Sequence, residues 1–184
     1  LFMTITIFNS KGGTGKSALS FSISKDMGYA MITNDDGLYR RHHPKYKYLQ
    51  TIQLIEDSIL DLGGFITPET LDILNGSDKV VIPLTADFNS IQKALEIMSE
   101  VEHGKIVVIA NMLESVEDFE EIKETIFKRH EVLIYPLKRS KIFQRSLQTG
   151  LSVTELYQEN GLSKHQYRSV YKQYEAILKA INEN

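Results

Sequence analysis

Two observations predict an α/β domain with a mostly parallel central sheet and helices on both faces. Strand-like and helix-like segments alternate nearly throughout the chain, and residues 106–110 form a continuous apolar run of the kind a strand shows when both its faces are covered. At 184 residues, one domain spanning 1–184 is expected to bury roughly 70% of the surface its unfolded chain exposes, enough for a core without disulfides or structural metal. Cysteine is absent, which excludes disulfide scaffolds, thiolate zinc fingers, iron–sulfur carriers and thiol nucleophiles. The 42% hydrophobic and 24% charged fractions are those of a folded chain. No apolar run approaches the roughly 18 residues that cross a bilayer, so a cytoplasmic location is expected.

Each element follows from local signals. Residues 1–8 are apolar but lack a basic leader and a small-residue cleavage site, so residues 3–9 predict a strand rather than an export signal. Met3 is a candidate native start behind Leu1 and Phe2. Residues 17–27 read as a helix after a glycine loop, and residues 30–34 as a short strand. Residues 40–48 are basic and aromatic without periodicity, which predicts an irregular connection or short helix. Residues 58–62 form a third core strand ending at Gly63-Gly64. Thr67-Pro68-Glu69 opens a helix with a cap residue and a proline at the first helical position, and Asn75-Gly76 closes it. After a strand over 79–84, Ile91, Leu95, Met98 and Val101 mark the buried face of the next helix. Then come the strand 106–110, an acidic helix over 116–129 and a strand over 132–135. Helices over 142–149 and 163–181 end the chain, the last opened by Ser163-Lys164-His165-Gln166. The sequence contains no internal repeat, linker or low-complexity segment.

Asn9-Ser10-Lys11-Gly12-Gly13-Thr14-Gly15-Lys16-Ser17 lies between a strand and a helix, the context a phosphate-binding loop requires. Glycines let the backbone curl so that successive N–H groups point inward, and the following helix aims its positive dipole end at the same spot. Lys16 is placed to reach the β- and γ-phosphates, and the Ser17 hydroxyl to bind Mg²⁺. Ser10 stands where the usual pattern has its first glycine, and Lys11 adds a second basic residue.

This Lys-Gly-Gly-x-Gly-Lys-Ser form resembles the deviant Walker A loop of the ParA/MinD family of P-loop ATPases, closest to small plasmid-partition ParA proteins. The resemblance implies a single-domain P-loop NTPase that takes ATP and Mg²⁺, with Lys11, Gly12, Gly13, Thr14, Gly15, Lys16, Ser17 and Ala18 around the nucleotide. Lys11 would reach across a dimer interface to the partner's ATP, and Lys11, Lys16 and Asp35 would serve catalysis. In Ile32-Thr33-Asn34-Asp35-Asp36-Gly37, Asp35 matches the second aspartate of the family's Asp-x-Asp-Pro-Gln segment, which positions the attacking water. Thr33 replaces the first aspartate and Asp36-Gly37 replaces Pro-Gln; a plain turn is the competing reading. Ser58-Ile59-Leu60-Asp61-Leu62-Gly63-Gly64 resembles the second nucleotide motif, with Asp61 holding Mg²⁺ through water and the Gly63 or Gly64 N–H sensing the γ-phosphate. Asn111, which reads on its own as a turn residue, and Pro136, within Tyr135-Pro136-Leu137-Lys138-Arg139, match the family's base-contacting region. The likeness runs from Met3 to about Leu156.

The formal net charge of −3 averages two unlike parts. Residues 138–184 carry eight Lys/Arg against four Glu, and residues 1–137 carry thirteen bases against twenty acids. On the last helix Lys164, Arg168, Lys172 and Lys179 share an arc of roughly 80° opposite Val170, Tyr174, Ile177 and Ile181. Such a stripe reads equally as a solvated face or as a surface for DNA phosphates. Arg40-Arg41-His42-His43 with Lys45 and Lys47 is a second basic cluster, and its adjacent histidines, without a nearby acid, make a poor metal site. The polar end Asn182-Glu183-Asn184 does not match a membrane-targeting helix.

Two expectations follow. The first is an ATP-dependent homodimer that partitions plasmid or chromosomal DNA, binding DNA non-specifically through its basic C-terminal helix and releasing it when a ParB-like, cargo-bound activator stimulates slow hydrolysis. Nucleoid association would accompany it. The second, supported by the altered Thr33-Asn34-Asp35-Asp36 segment, is a MinD-like or conjugation-associated nucleotide switch that positions a protein partner with little hydrolysis. With the loop beginning at Asn9, no operator-binding helix-turn-helix domain is expected ahead of it, and the short span from Asp35 to Asp61 predicts a reduced core.

Overall fold

Ile5, Ile7, Val81, Val107 and Ile109 pack into one hydrophobic layer, while Phe8, Val80, Ile82, Val108 and Ala110 pack into another. Neighbouring residues of the same strands thus point into opposite layers, as they must when both faces of a sheet are covered. The structure is a computed structural model that describes residues 3–35 and 42–183. Its strands are β1 (Thr4–Ile7), β2 (Ala30–Thr33), β3 (Tyr46–Tyr48), β4 (Ser58–Asp61), β5 (Lys79–Leu84), β6 (Ile106–Leu113) and β7 (Leu133–Lys138). They form one sheet in the order β3-β2-β4-β1-β5-β6-β7, and every pairing is parallel.

The described helices are α1 (Lys16–Met27), α2 (Pro68–Gly76), α3 (Phe88–Glu100), α4 (Val116–Phe127), α5 (Lys141–Thr149), α6 (Val153–Gln158) and α7 (Gly161–Asn182). Residues of α1, α5, α6 and α7 join the first layer, and those of α2, α3 and α4 the second. The starts are set by caps, as the sequence signals predict for α2, where Thr67 accepts from the Thr70 N–H and Pro68 opens the helix. Ser115 and Asp118 form a capping box on α4. The α3 face of Ile91, Leu95 and Met98 is buried together with Val101, the residue that ends the helix.

Four expectations are corrected. Within residues 40–48, Tyr46–Tyr48 is neither irregular nor helical but an edge strand paired in parallel with Met31–Thr33; Arg40 and Arg41, like Asp36 and Gly37, lie outside the described residues. Pro136 sits inside β7, not in a loop after it, opposite Ala110. Because β7 is at the sheet edge, the N–H that proline lacks is not needed by a further strand. Val153–Gln158 is a separate short helix, α6, with its own capping box from Ser152 and Glu155. Finally, α7 begins earlier than residue 163, because Asn160 is the cap and accepts from the Ser163 N–H at 2.8 Å.

The chain runs from β1 outward to one side, through β2, β3 and β4, then crosses to build β5, β6 and β7 on the other. β1 lies between β4 and β5 at this change of direction. In open parallel sheets, ligands bind outside the carboxyl ends of the strands at such a switch point.

Candidate functional site at the end of the first strand

The segment leaving β1 curls because two asparagines hold it and two glycines let it turn. Asn9, fully buried, donates from Nδ2 to the Pro83 carbonyl at 3.0 Å and accepts the Lys11 N–H on Oδ1 at 2.9 Å. Gly13 and Gly15 have φ of 80° and 87°, the left-handed region that costs other residues steric strain. Gly15 caps α1, and a Cβ there would collide with the Asn111 side chain. Asn111 is buried and donates from Nδ2 to the Thr14 carbonyl at 2.8 Å, tying the loop to β6.

Asn111 reaches the loop because β6 bulges next to it. Met112, between the shifted pairs of Asn111 and Leu113, has φ of 57°, strained for a residue with a side chain. The Asn111 Oδ1 accepts the Met112 N–H at 2.9 Å and so stabilises the distortion that aims it. Nothing in the run Ala110-Asn111-Met112-Leu113 signals this bulge, and Asn111 acts on the loop backbone rather than as a simple turn residue.

Gly12, Gly13, Thr14, Gly15, Lys16, Ser17, Ala18, Asp35, Asp61 and Gly63 all line one cavity of about 360 Å³, together with Leu147. The structure thus brings together the loop, the end of β2 and the end of β4, three places far apart in sequence. The Lys16 ammonium donates to the Asn9 carbonyl at 2.9 Å. Burial lowers its pKa, while Asp61 and Asp35 oppose that shift by favouring the charged form. Asp61, almost fully buried, stands at the last position of β4. The Ser10 and Thr14 hydroxyls are buried without a hydrogen-bond partner, unspent polar capacity within the glycine cradle.

Lys11 is not among the residues lining this cavity. It lies within electrostatic reach of Asp87, whose carboxyl is held below its ordinary pKa first by the Thr85 hydroxyl and further by the Ser90 N–H and Lys11. Pro136 lines a different hollow, with Leu113, Phe119 and Gln173, away from the loop. The space that does adjoin the loop is a second cavity of about 470 Å³ beside Gly15, Ala18 and Asn111, walled by Lys138, Arg139, Ser140, Lys141, Phe143 and Gln144. Among the described residues no three His, Asp or Glu side chains gather as a metal site. His43 is instead buried in packing, 2.9 Å from the Ser24 hydroxyl.

No family model and no curated protein matches the chain by sequence. Solved structures do match by shape. Apo McdA from Cyanothece superposes with a TM-score of 0.73 at 14% identity, over 98% of this chain and 99% of that one. MinD from Pyrococcus horikoshii, complexed with Mg-ADP, gives 0.62 at 10% identity over 98% and 96%. A ParA family ATPase from Chlorobium tepidum gives 0.56 at 16% identity over 92% and 98%.

The chain has the fold of the ParA/MinD P-loop ATPases. In that fold the sheet order and the loop after β1 agree with what the Lys11-to-Ser17 segment implies. At these identities the match concerns the path of the backbone, so the chemistry rests on this chain's own residues.

Proposed function

We propose that the chain is a Mg-ATP-dependent ATPase of the ParA type, in which nucleotide bound at the loop drives two copies together. One observation carries the reading: Lys16, Ser17, Asp35, Asp61 and Gly63 converge on a single cavity at the switch point of the sheet. The site suits a nucleotide phosphate chain, with backbone N–H groups at a helix start, the Lys16 side chain and the unpartnered buried Thr14 hydroxyl. Ser17 and Asp61 are hard oxygen donors of the type Mg²⁺ takes beside phosphate and water. Mg²⁺ held there would neutralise charge developing on the phosphates.

The chain's own groups divide the remaining work. Gly12, Gly13, Thr14, Gly15 and Ala18 wrap the phosphates, Lys16 places its charge on the β- and γ-oxygens, and Asp35 orients the attacking water. Lys11, outside the cavity, is the group that reaches a partner's nucleotide. The base fits the second cavity, with Asn111 on its wall and the Phe143 ring available for stacking; Pro136 has no place in this reading. The nucleotide-bound MinD and a Cyanothece McdA complex with ATP support ATP and Mg²⁺ as ligands.

The finer reading is partition of DNA. Lys164, Arg168, Lys172 and Lys179 are all exposed on α7, a stripe suited to phosphates without sequence readout, and a ParB-like partner would stimulate slow hydrolysis on the nucleoid. The plasmid partition protein of Borrelia burgdorferi among the structural neighbours supports it. Thr33, in place of a first aspartate, favours the second reading, a MinD-like or conjugation-associated switch with little turnover. No described helix is long and apolar enough to cross a membrane.

Phosphate release from Mg-ATP, with and without DNA, tests the proposal. Lys16→Ala is expected to abolish turnover, and Asp35→Ala to keep ATP binding while slowing hydrolysis at least about 10-fold. Hydrolysis unaffected by Asp35→Ala would remove Asp35 from its role. Binding to DNA of arbitrary sequence should require Mg-ATP and weaken steeply with salt; salt-insensitive or absent binding contradicts the partition reading and leaves the switch.

A further inference from the structure

We propose that Asn34 makes this site discriminate a nucleoside triphosphate from a diphosphate, by occupying the Gly63 N–H until a γ-phosphate displaces it. The inference rests on the nucleotide-site reading above. The Asn34 carboxamide grips both backbone polar groups of Gly63: Oδ1 accepts the Gly63 N–H at 2.8 Å, and Nδ2 donates to the Gly63 carbonyl at 3.3 Å. This reciprocal pair joins the ends of β2 and β4, just beyond the register pair Thr33 and Asp61.

The pair also fixes Asp35. A Cβ built on Gly63 would stand 3.5 Å from Asp35 Cβ and 3.8 Å from Asp35 Oδ2, so the carboxylate packs against the glycine that Asn34 holds. The Asp35 N–H is donated to the Thr33 hydroxyl at 2.9 Å. Gly63 and Asp35 line the cavity with Lys16 and the loop, whereas Asn34 is exposed and outside it. The Gly63 N–H is therefore spent on an acceptor outside the cavity, and a phosphate in the cavity engages it only when that bond opens and the peptide turns inward.

An N–H satisfies one strong acceptor at a time. A phosphate oxygen is charged, and a charge-assisted hydrogen bond is roughly twice as strong as one to a neutral amide, so a γ-phosphate takes Gly63 from Asn34. A diphosphate has no group for that exchange and leaves the pair intact. Losing the pair frees the Thr33-to-Asp35 segment, which couples arrival of the triphosphate to the position of Asp35. Asn34 is thus a positioning residue, and part of the triphosphate's binding free energy is spent on opening its contact.

The test is calorimetric titration of the full chain with Mg²⁺ and either ATPγS or ADP. Asn34→Ala removes the competitor and is expected to tighten ATPγS binding about 3–10-fold, the size expected for one or two exposed hydrogen bonds, with ADP affinity within twofold. Asn34→Asp keeps the acceptor, loses the donor and adds a negative charge near the γ-phosphate, so ATPγS affinity should fall while ADP affinity holds. An unchanged ATPγS-to-ADP ratio in both variants, equal changes for both nucleotides, or weaker ATPγS binding by Asn34→Ala would overturn the proposal. Lys16→Ala separates the two levels of argument: if ATPγS binding to the unsubstituted chain does not depend on Lys16, the nucleotide-site reading fails and this inference with it. Lys16-dependent binding with an unmoved ratio overturns the role of Asn34 alone.

Discussion

His43 is neutral because its surroundings penalise a positive charge. Burial, reinforced by Lys25 and Lys45, pushes its pKa down to about 4 from 6.5. Its Nδ1 accepts the Lys45 N–H at 3.1 Å, which leaves Nε2 protonated toward Ser24, and its ring meets Phe21 edge to face. Between pH 6.5 and 4 the unfolded chain takes up a proton that the folded chain refuses. Stability is therefore complete above about pH 6.5 and declines as pH falls toward 4, by on the order of 3 kcal/mol from this residue. Urea unfolding at pH 7.5 and 4.5 checks it: His43→Gln should lose less stability on acidification than the unsubstituted chain, and an equal loss contradicts the assignment. The sequence names His43 only as one of two adjacent histidines. Its role depends on Ser24 and Phe21, about twenty residues away, which no local pattern can announce. Asn34 is similar, since its partner Gly63 meets it only after β2 and β4 pair.

At the scale of elements, α7 is held by more than its apolar face. The Tyr174 hydroxyl, fully buried, lies 2.8 Å from Ser22 Oγ and 2.9 Å from Asp26 Oδ2 on α1, and burial with the Asp26 charge raises its pKa well above the ordinary value. Ser22 also accepts the Val153 N–H at 2.8 Å, so α1, α6 and α7 share one polar clasp. Tyr174→Phe leaves Asp26 and Ser22 short of a partner and is expected to cost about 1–3 kcal/mol. At roughly 2–4 °C per kcal/mol for a chain of this size, thermal melting should show a Tm several degrees lower. An unchanged Tm would mean that the clasp adds nothing beyond apolar packing. Helices and strands with strong local signals are legible in the sequence: Thr67-Pro68 for α2, and the apolar runs of β5 and β6. Those that escaped are short or set by distant contacts. Tyr46–Tyr48 is three residues at an edge with two of them exposed, so it lacks the apolar run of a central strand. Ser163 looks like the cap in sequence but is buried inside the first turn, three residues past Asn160, which caps the helix.

For the whole molecule, the order β3-β2-β4-β1-β5-β6-β7 gives the first loop its meaning. The glycine-lysine spacing identifies a phosphate loop from sequence, but only the parallel pairing of β1 with β4 and of β4 with β2 sets Asp61 and Asp35 opposite it. The charge asymmetry is likewise a property of the folded molecule, with the basic stripe of α7 outside and its apolar face in the core. The proposed dimer, in which nucleotide at this loop joins two chains through Lys11, changes the mass of the particle in solution. Light scattering on the 21.0 kDa chain with Mg-ADP and with Mg-ATPγS reads that mass. The expected mass is near that of one chain with ADP and near twice that with ATPγS, with the doubling lost in Lys11→Ala and Lys16→Ala while Lys11→Ala still binds nucleotide. A single-chain mass with ATPγS, or a dimer indifferent to Lys11, would contradict it.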